Sequence, residues 1–124
     1  MKPLVLVAVL VKQKGRLLQY WLDSLSQWDY PKDRMIIYIR ENNSTDDSEK
    51  ILRWWAEVNR DKYYAIIENY EDLEIPLEQW GVHEWNTTRF RALGEIREWS
   101  IKEAIARGAD FYFVCDVDNF LLPF

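Results

Sequence analysis

Hydrophobic positions follow two rhythms along this chain. Leu4 to Val11 form an unbroken apolar run rich in β-branched residues. Without alternation, both faces of such a strand are expected to be buried, as in the middle of a parallel sheet. From Lys14 to Trp28 the rhythm changes. Leu18, Trp21, Leu22, Leu25 and Trp28 recur every three or four residues and predict a helix with one apolar face. Tyr30-Pro31 ends it, because proline lacks an N–H and restricts the residue before it. Met35 to Ile39 predict a second buried strand. The polar stretch Glu41 to Asp47 offers Ser44 or Thr45 as the N-cap of a second helix. That helix is expected to reach Asn59, with Ile51, Leu52, Trp55 and Val58 inward.

Tyr63 to Ile67 read as a third strand. From Glu68 to Thr87 the pattern dissolves into an acidic, aromatic stretch with Pro76 and Gly81. A loop of that length in a compact domain is usually functional or mobile. A long helix is predicted from Thr88 to Arg107, with Gly108 closing it. Phe111 to Cys115 form a fourth strand that runs into Asp116. The order β-α-β-α-β-loop-α-β predicts an α/β fold: a Rossmann-like three-layer sandwich with right-handed crossovers. Ligands of such sheets bind beyond the carboxyl ends of the strands.

Composition narrows the classes. The chain has 124 residues, which favours one domain, 1–124. Net charge is −5 and no basic stripe exists, which argues against nucleic acid. The single Cys115 makes no internal disulfide. The first apolar run is too short to span a membrane and is followed by Lys12-Gln13-Lys14-Gly15-Arg16 with no cleavage site. The expectation is a soluble, cytoplasmic or intracellular protein without a signal peptide. Seven Trp and seven Tyr exceed what a small core needs. Trp54, Trp80, Trp85 and Trp99 fall off the apolar stripes or in the loop. They suit a subunit contact, and a homodimer through aromatic surface is expected.

Three features carry candidate chemistry. Asp116 and Asp118 stand two apart at a strand's carboxyl end. Paired carboxylates there repel each other and suit a divalent cation, Mn²⁺ or Mg²⁺, with phosphate oxygens completing its shell. The bland alternative is a polar turn. On the long helix Phe90, Leu93, Ser100, Ile101 and Ala104 mark an inward stripe, and Arg97 falls in its middle at about 100° per residue. A guanidinium there needs an anion: a phosphate, or a buried carboxylate such as Asp116. Arg89 is a second basic candidate. Glu41-Asn42-Asn43 ends the second strand where a base or ribose is usually read; taken alone, ordinary turn chemistry is the stronger explanation. His83 has no partners for a zinc site. No G-x-G-x-x-G or P-loop pattern is present. A phosphatase-type Asp-x-Asp normally follows the first strand, unlike this one.

Several segments together resemble the procollagen galactosyltransferase family and the glucosyltransferase domain of lysyl hydroxylases. They are Val5 to Val11, Trp28-Asp29-Tyr30-Pro31-Lys32-Asp33-Arg34-Met35, Asn43-Ser44-Thr45-Asp46, and Gly108-Ala109-Asp110-Phe111 running into Asp116-Val117-Asp118-Asn119. Giant viruses also encode proteins of this kind, so a viral origin is one expectation. The resemblance implies the nucleotide-binding half of a GT-A glycosyltransferase fold, a UDP-glucose or UDP-galactose donor, and Mn²⁺. It places Asp116 and Asp118 as catalytic metal ligands and the Val117 backbone beside the ribose. Leu10 and Val11 line the uridine site, with Asn42 and Asn43 beside it. Asn42 stands where relatives often carry Asp. Arg97 falls on a basic position of the family, and Trp85 and Arg89 also match. A full GT-A enzyme continues well past its Asp-x-Asp, so a truncated, donor-binding form with slow donor hydrolysis is expected. The alternative is a non-catalytic nucleotide-binding or assembly protein that keeps the fold.

Overall fold

The computed structural model describes residues 2–11, 15–41, 46–70 and 87–116. The elements run β1 (Val5–Val11), α1 (Gly15–Ser26), a short 3-10 turn (Lys32–Arg34), β2 (Met35–Glu41), α2 (Ser48–Asn59), β3 (Ala65–Asn69), α3 (Thr87–Ala106) and β4 (Phe111–Asp116). Every predicted strand and helix is present. The four strands form one sheet in the order β3-β2-β1-β4, and every pairing is parallel.

The apolar runs of β1 and β2 are explained by what covers them. Val7, Val9, Val11, Met35, Ile37 and Ile39 pack against Leu18, Trp21, Leu22 and Leu25 of α1 and Leu52, Trp55 and Ala56 of α2. The alternate residues Leu4, Leu6, Ala8, Ile36 and Tyr38 pack with Ala104 of α3 on the other face. Two helices thus cover one face and one helix covers the other. Right-handed crossovers require this, because the chain moves one way from β1 to β3 and the opposite way to reach β4. Each fully buried large side chain, such as Trp21 or Leu22, contributes about 1.5–3 kcal/mol.

α1 stops at Ser26, two residues before the predicted end. Its last turn tightens: the Gln27 and Trp28 amides donate to the Ser24 and Leu25 carbonyls at 3.0 and 3.2 Å. Trp28 leaves the helix and packs edge-on to Trp21 and to Phe113 of β4, with ring centroids 6.1 and 6.0 Å away. The third strand begins two residues later than predicted, at Ala65. Tyr63 is held against Trp55, with centroids 5.6 Å apart, and the Tyr64 amide donates to the carbonyls of Lys32 and Met35. Those contacts keep both residues out of the ladder. The strand then takes up Glu68 and Asn69, which were expected to start the loop.

α2 begins at Ser48, whose amide donates to Asp46 Oδ1 at 3.0 Å. The expected caps Ser44 and Thr45 lie outside the described residues. Ile51, Leu52 and Trp55 face inward as expected, but Val58 is exposed. Ser48, Ala56 and Asn59 are buried instead, and Asn59 Nδ2 bonds the Trp55 carbonyl at 2.9 Å.

α3 ends as its sequence predicts. Gly108 has φ 71°, the left-handed region that glycine tolerates best. Its amide donates to Ile105, and the Ala109 amide reaches back to Ala104. This is a Schellman close, and Ala104 and Ala109 pack in the same core beneath it. The Asp110 amide then joins the Leu4 carbonyl at 2.7 Å, while Asp110 Oδ2 accepts from the Leu4 amide. β4 is thereby set in register with β1.

Candidate functional site

β1 leads to β2 on one side and has β4 on the other, so the order reverses between β1 and β4. A crevice at the carboxyl ends of such strands is where open α/β sheets bind ligands. The register defines which residues meet there. Leu10 pairs with Asp116 on one side and with Arg40 on the other, and Arg40 pairs with Asn69. One row across the sheet therefore reads Asp116–Leu10–Arg40–Asn69. Val11 stands beside Glu41 in the next row. Each helix also starts on the side where the strands end, so helix N-termini add positive potential to this edge.

Leu10, Val11 and Asp116, three of the predicted site residues, are thus brought to one edge. Asp116 is the last residue of β4, and its side chain lies outside the description. Asn42, Asn43, Val117 and Asp118 also fall outside the described residues. So do Trp80, His83 and Trp85, and most of the expected loop. Arg89 lies in the first turn of α3, with only its backbone described. Among the described residues no cluster of three metal-ligating side chains occurs.

Arg97 requires a correction. It is exposed, not buried in the middle of the inward stripe. Among the described side chains of α3, the buried ones are Ile96, Ser100 and Ala104. Ser100 Oγ sits 2.6 Å from the Tyr112 hydroxyl of β4 and also bonds the Arg97 carbonyl at 2.7 Å. This polar anchor turns the helix so that Ile101, assigned inward from its sequence, is 43 % exposed. Arg97 rotates out with it. Its charge therefore needs no buried anion.

The level of Arg97 along the sheet follows from the same anchor. Three helical residues advance it about 4.5 Å from Ser100 toward the carboxyl edge. Asp116 lies about 13 Å beyond Tyr112 along its strand. The Arg97 backbone thus stops short of the Asp116 row, which is level with the first turns of α3.

The residue missed in the sequence is Arg40. It is only 7 % exposed, and Glu41 beside it is 1 % exposed. Arg40 Nη1 donates to the Glu41 carbonyl at 2.9 Å. Alternation places Arg40 on the α3 face with Ile36 and Tyr38, and Glu41 on the opposite face with Ile37 and Ile39. Burial pushes the Tyr38 hydroxyl pKa up, while the Arg40 charge and a hydrogen bond from Asn69 pull against it. Arg40, Asn69 and Tyr38 thus share one electrostatic neighbourhood beneath the edge. The available signal was strand length: β1 runs to Val11, and an equal partner strand extends from Ile39 to Glu41 and carries Arg40 into the sheet.

A second polar group closes the far edge. Glu68 pairs with Arg60 and accepts from the Tyr70 hydroxyl at 2.6 Å, and Arg53 sits 4.1 Å over the Tyr70 ring. Burial, then the Glu68 carboxylate, push the Tyr70 hydroxyl well above its ordinary pKa. This cluster lies on β3, at the opposite edge of the sheet from β4, with β2 and β1 between them.

Known proteins are similar in sequence and in fold. The family model for the N-terminal domain of glycosyltransferase family 25 matches residues 2–123. A glycosyltransferase 25 family member of Drosophila melanogaster is 35% identical over 96% of this chain and 20% of its own length. Human procollagen galactosyltransferase 2 is 32% identical over 96% of the chain and 19% of its own length. The mouse protein named inactive glycosyltransferase 25 family member 3 is 28% identical over 96% and 20%. The chain thus spans about one fifth of the length of these relatives.

Among solved structures, the mannosyltransferase PcManGT of Pyrobaculum calidifontis, in complex with GDP-Man and Mn²⁺, superposes with a TM-score of 0.52. It is 26% identical and covers 63% of this chain and 22% of its own. S. aureus TarS 1-349 in complex with UDP superposes with a TM-score of 0.63 at 20% identity, covering 96% and 28%. The fold is that of the nucleotide-binding half of GT-A glycosyltransferases, as its sequence led us to expect. By its sequence, the chain belongs to glycosyltransferase family 25, whose N-terminal domain it matches over residues 2–123.

Proposed function

We propose that this chain is the donor-binding part of a metal-dependent, UDP-hexose-using glycosyltransferase. The observation that carries the reading is the position of Asp116, at the carboxyl end of β4 and paired with Leu10 where the strand order reverses. Asp116 and Asp118 supply hard carboxylate oxygens, the donor type that Mn²⁺ and Mg²⁺ prefer, and so fit such an ion. A divalent cation bound there supplies positive charge against the diphosphate and eases its departure from the sugar. Leu10 and Val11 form an apolar floor for the nucleoside. Asn42 and Asn43 follow directly on β2 and offer donors and acceptors to the base edge. The family resemblance assigns the Val117 backbone to the ribose. Arg89, in the first turn of α3, and Arg97 are the helix-borne candidates for phosphate contact.

The neighbours in complex with GDP-Man and with UDP support a nucleotide ligand. The donor base is tested by titrating the chain with UDP and GDP in Mn²⁺. Preference for UDP supports the reading, and equal or absent binding opposes it. Glucose or galactose is distinguished by incubation with each UDP-hexose while free UDP is followed. Slow release of UDP indicates donor hydrolysis. The second reading, a non-catalytic binding or assembly protein, is favoured by a relative named inactive. It predicts UDP binding without UDP release. Among the described residues no helix is long and apolar enough to cross a membrane.

A further inference from the structure

We infer that the outer edge of β4 is a dimer interface, at which a second copy of this chain adds its own β4 antiparallel to the first and continues the sheet. The inference is independent of the nucleotide reading and concerns a different side of the molecule.

Apolar side chains that the core leaves out gather on this side. Phe111 and Phe113 stand on the α1 face of β4, in register with Val5 and Val7. Trp28 packs edge-on to Trp21 of α1 and to Phe113, so this flank of α1 turns toward β4. Leu17 lies on it, one turn before Trp21. On the other face the Ser100–Tyr112 contact fixes α3. The Glu103 charge acts on Tyr38 of β2. At about 100° per residue, Ile101 and Ile105 therefore fall on the opposite flank, toward β4. Leu17, Phe111, Phe113, Ile101 and Ile105 are between 41 % and 74 % exposed. At roughly 200 Å² for each large side chain, they leave about 500 Å² of apolar surface uncovered. Two copies together reach the about 1,000 Å² that a specific contact requires, before the strand backbones are counted.

The backbone gives the contact its direction. Among the described residues β4 pairs with β1 alone. The Phe111 amide donates to the Leu4 carbonyl, just before β1. By alternation along the strand, the amides of Tyr112 and Val114 face outward. Phe111 to Cys115 include no charged residue and no proline, the usual devices that blunt an exposed edge. The opposite edge differs: Glu68 of β3 is paired with Arg60 and bonded by Tyr70. Self-pairing suits β4. An antiparallel partner sets Asp116 of one copy against the amino end of the other's strand, so like charges stay apart. The two carboxyl edges then face opposite ways and both stay open. A two-fold axis perpendicular to the sheet gives this arrangement and brings Phe111 and Phe113 of both copies together on one face.

The test is sedimentation velocity over a range of concentrations, with amide hydrogen exchange on the same samples, for the whole 124-residue chain. The wild type is expected to dimerise, and its Tyr112 and Val114 amides to exchange more slowly as concentration rises. Val114→Pro removes an outward N–H without touching the β1 ladder. Ile105→Lys puts a charge into the apolar contact. Each is expected to weaken dimerisation by at least about tenfold. Trp54→Lys, at an exposed position of α2, is expected to leave it unchanged. A concentration-independent monomer overturns the proposal and leaves β4 to a different partner. A dimer that Ile105→Lys spares, or that Trp54→Lys weakens equally, also overturns it. So does a dimer in which the two amides exchange as fast as in the monomer. If Val114→Pro fails to fold, Ile105→Lys and the exchange data decide.

Discussion

Ser100 of α3 and Tyr112 of β4 meet through their hydroxyls at 2.6 Å, and this contact sets how the long helix lies on the sheet. Ser100 is wholly buried. The pair replaces an apolar contact with a directional one, and the helix rotates to satisfy it. Ser100→Ala is expected to lower stability by about 1 kcal/mol, because Tyr112 loses a partner. Arg97→Ala, at an exposed position, is expected to stay within about 0.5 kcal/mol of wild type. Urea denaturation of both variants checks this. A larger loss at Arg97 than at Ser100 contradicts the orientation described.

Gly108 gives a second prediction. Its φ of 71° disfavours any side chain, yet a Cβ added there meets nothing within 4 Å. The cost of Gly108→Ala is therefore conformational alone, about 1 kcal/mol. Thermal melting should show it as a modest downward shift without loss of the cooperative transition.

Tyr63 predicts an alkaline response. Burial pushes its hydroxyl pKa up to about 12 from 10.0. Ser26 eases this slightly, although among the described residues no hydrogen bond of ordinary geometry satisfies the Tyr63 hydroxyl. The unfolded chain ionises first as pH rises, so the folded state loses stability from about pH 10 until the folded pKa is passed. Below pH 10 this group contributes no slope. Tyr63→Phe should flatten the decline between those limits and cost little at neutral pH, since it removes a buried hydroxyl without a partner. Denaturant midpoints from pH 8 to the alkaline limit check it.

Self-association is a prediction from the exposed aromatic side chains of β4. Phe111 is 61 % and Phe113 41 % exposed. With Trp28, Tyr30, Val5 and Val7 they line an apolar groove of about 350 Å³. A patch of this kind favours contact with a second copy. The account expects a dimer for the isolated chain, and a monomer once Phe111→Lys and Phe113→Ser are combined. Sedimentation velocity decides between them.

Much of this fold is legible in the sequence because local and global signals agree. Two buried strands announce themselves as unbroken apolar runs, and Gly108 marks a helix end that only glycine fits easily. The carboxyl-edge placement of Leu10, Val11 and Asp116 follows from element order. Arg97 was misplaced because the inward stripe was drawn to include Ile101 as well as Ser100, whereas the Ser100–Tyr112 contact centres the buried side on Ile96, Ser100 and Ala104 and leaves Ile101 exposed. Arg40 was missed for a related reason. A charged residue looks like the end of a strand, but hydrogen-bond pairing with Leu10 and Asn69 continues through it.

The central claim is that Asp116 and Asp118 hold a divalent cation against a nucleoside diphosphate. Calorimetric titration of the chain with UDP, with and without Mn²⁺, tests it most directly when repeated on Asp116→Ala and Asp118→Ala. The account predicts tight binding only for wild type in Mn²⁺, with either substitution reducing affinity by at least about tenfold. Equal UDP affinity in wild type and both variants in the presence of Mn²⁺ contradicts it.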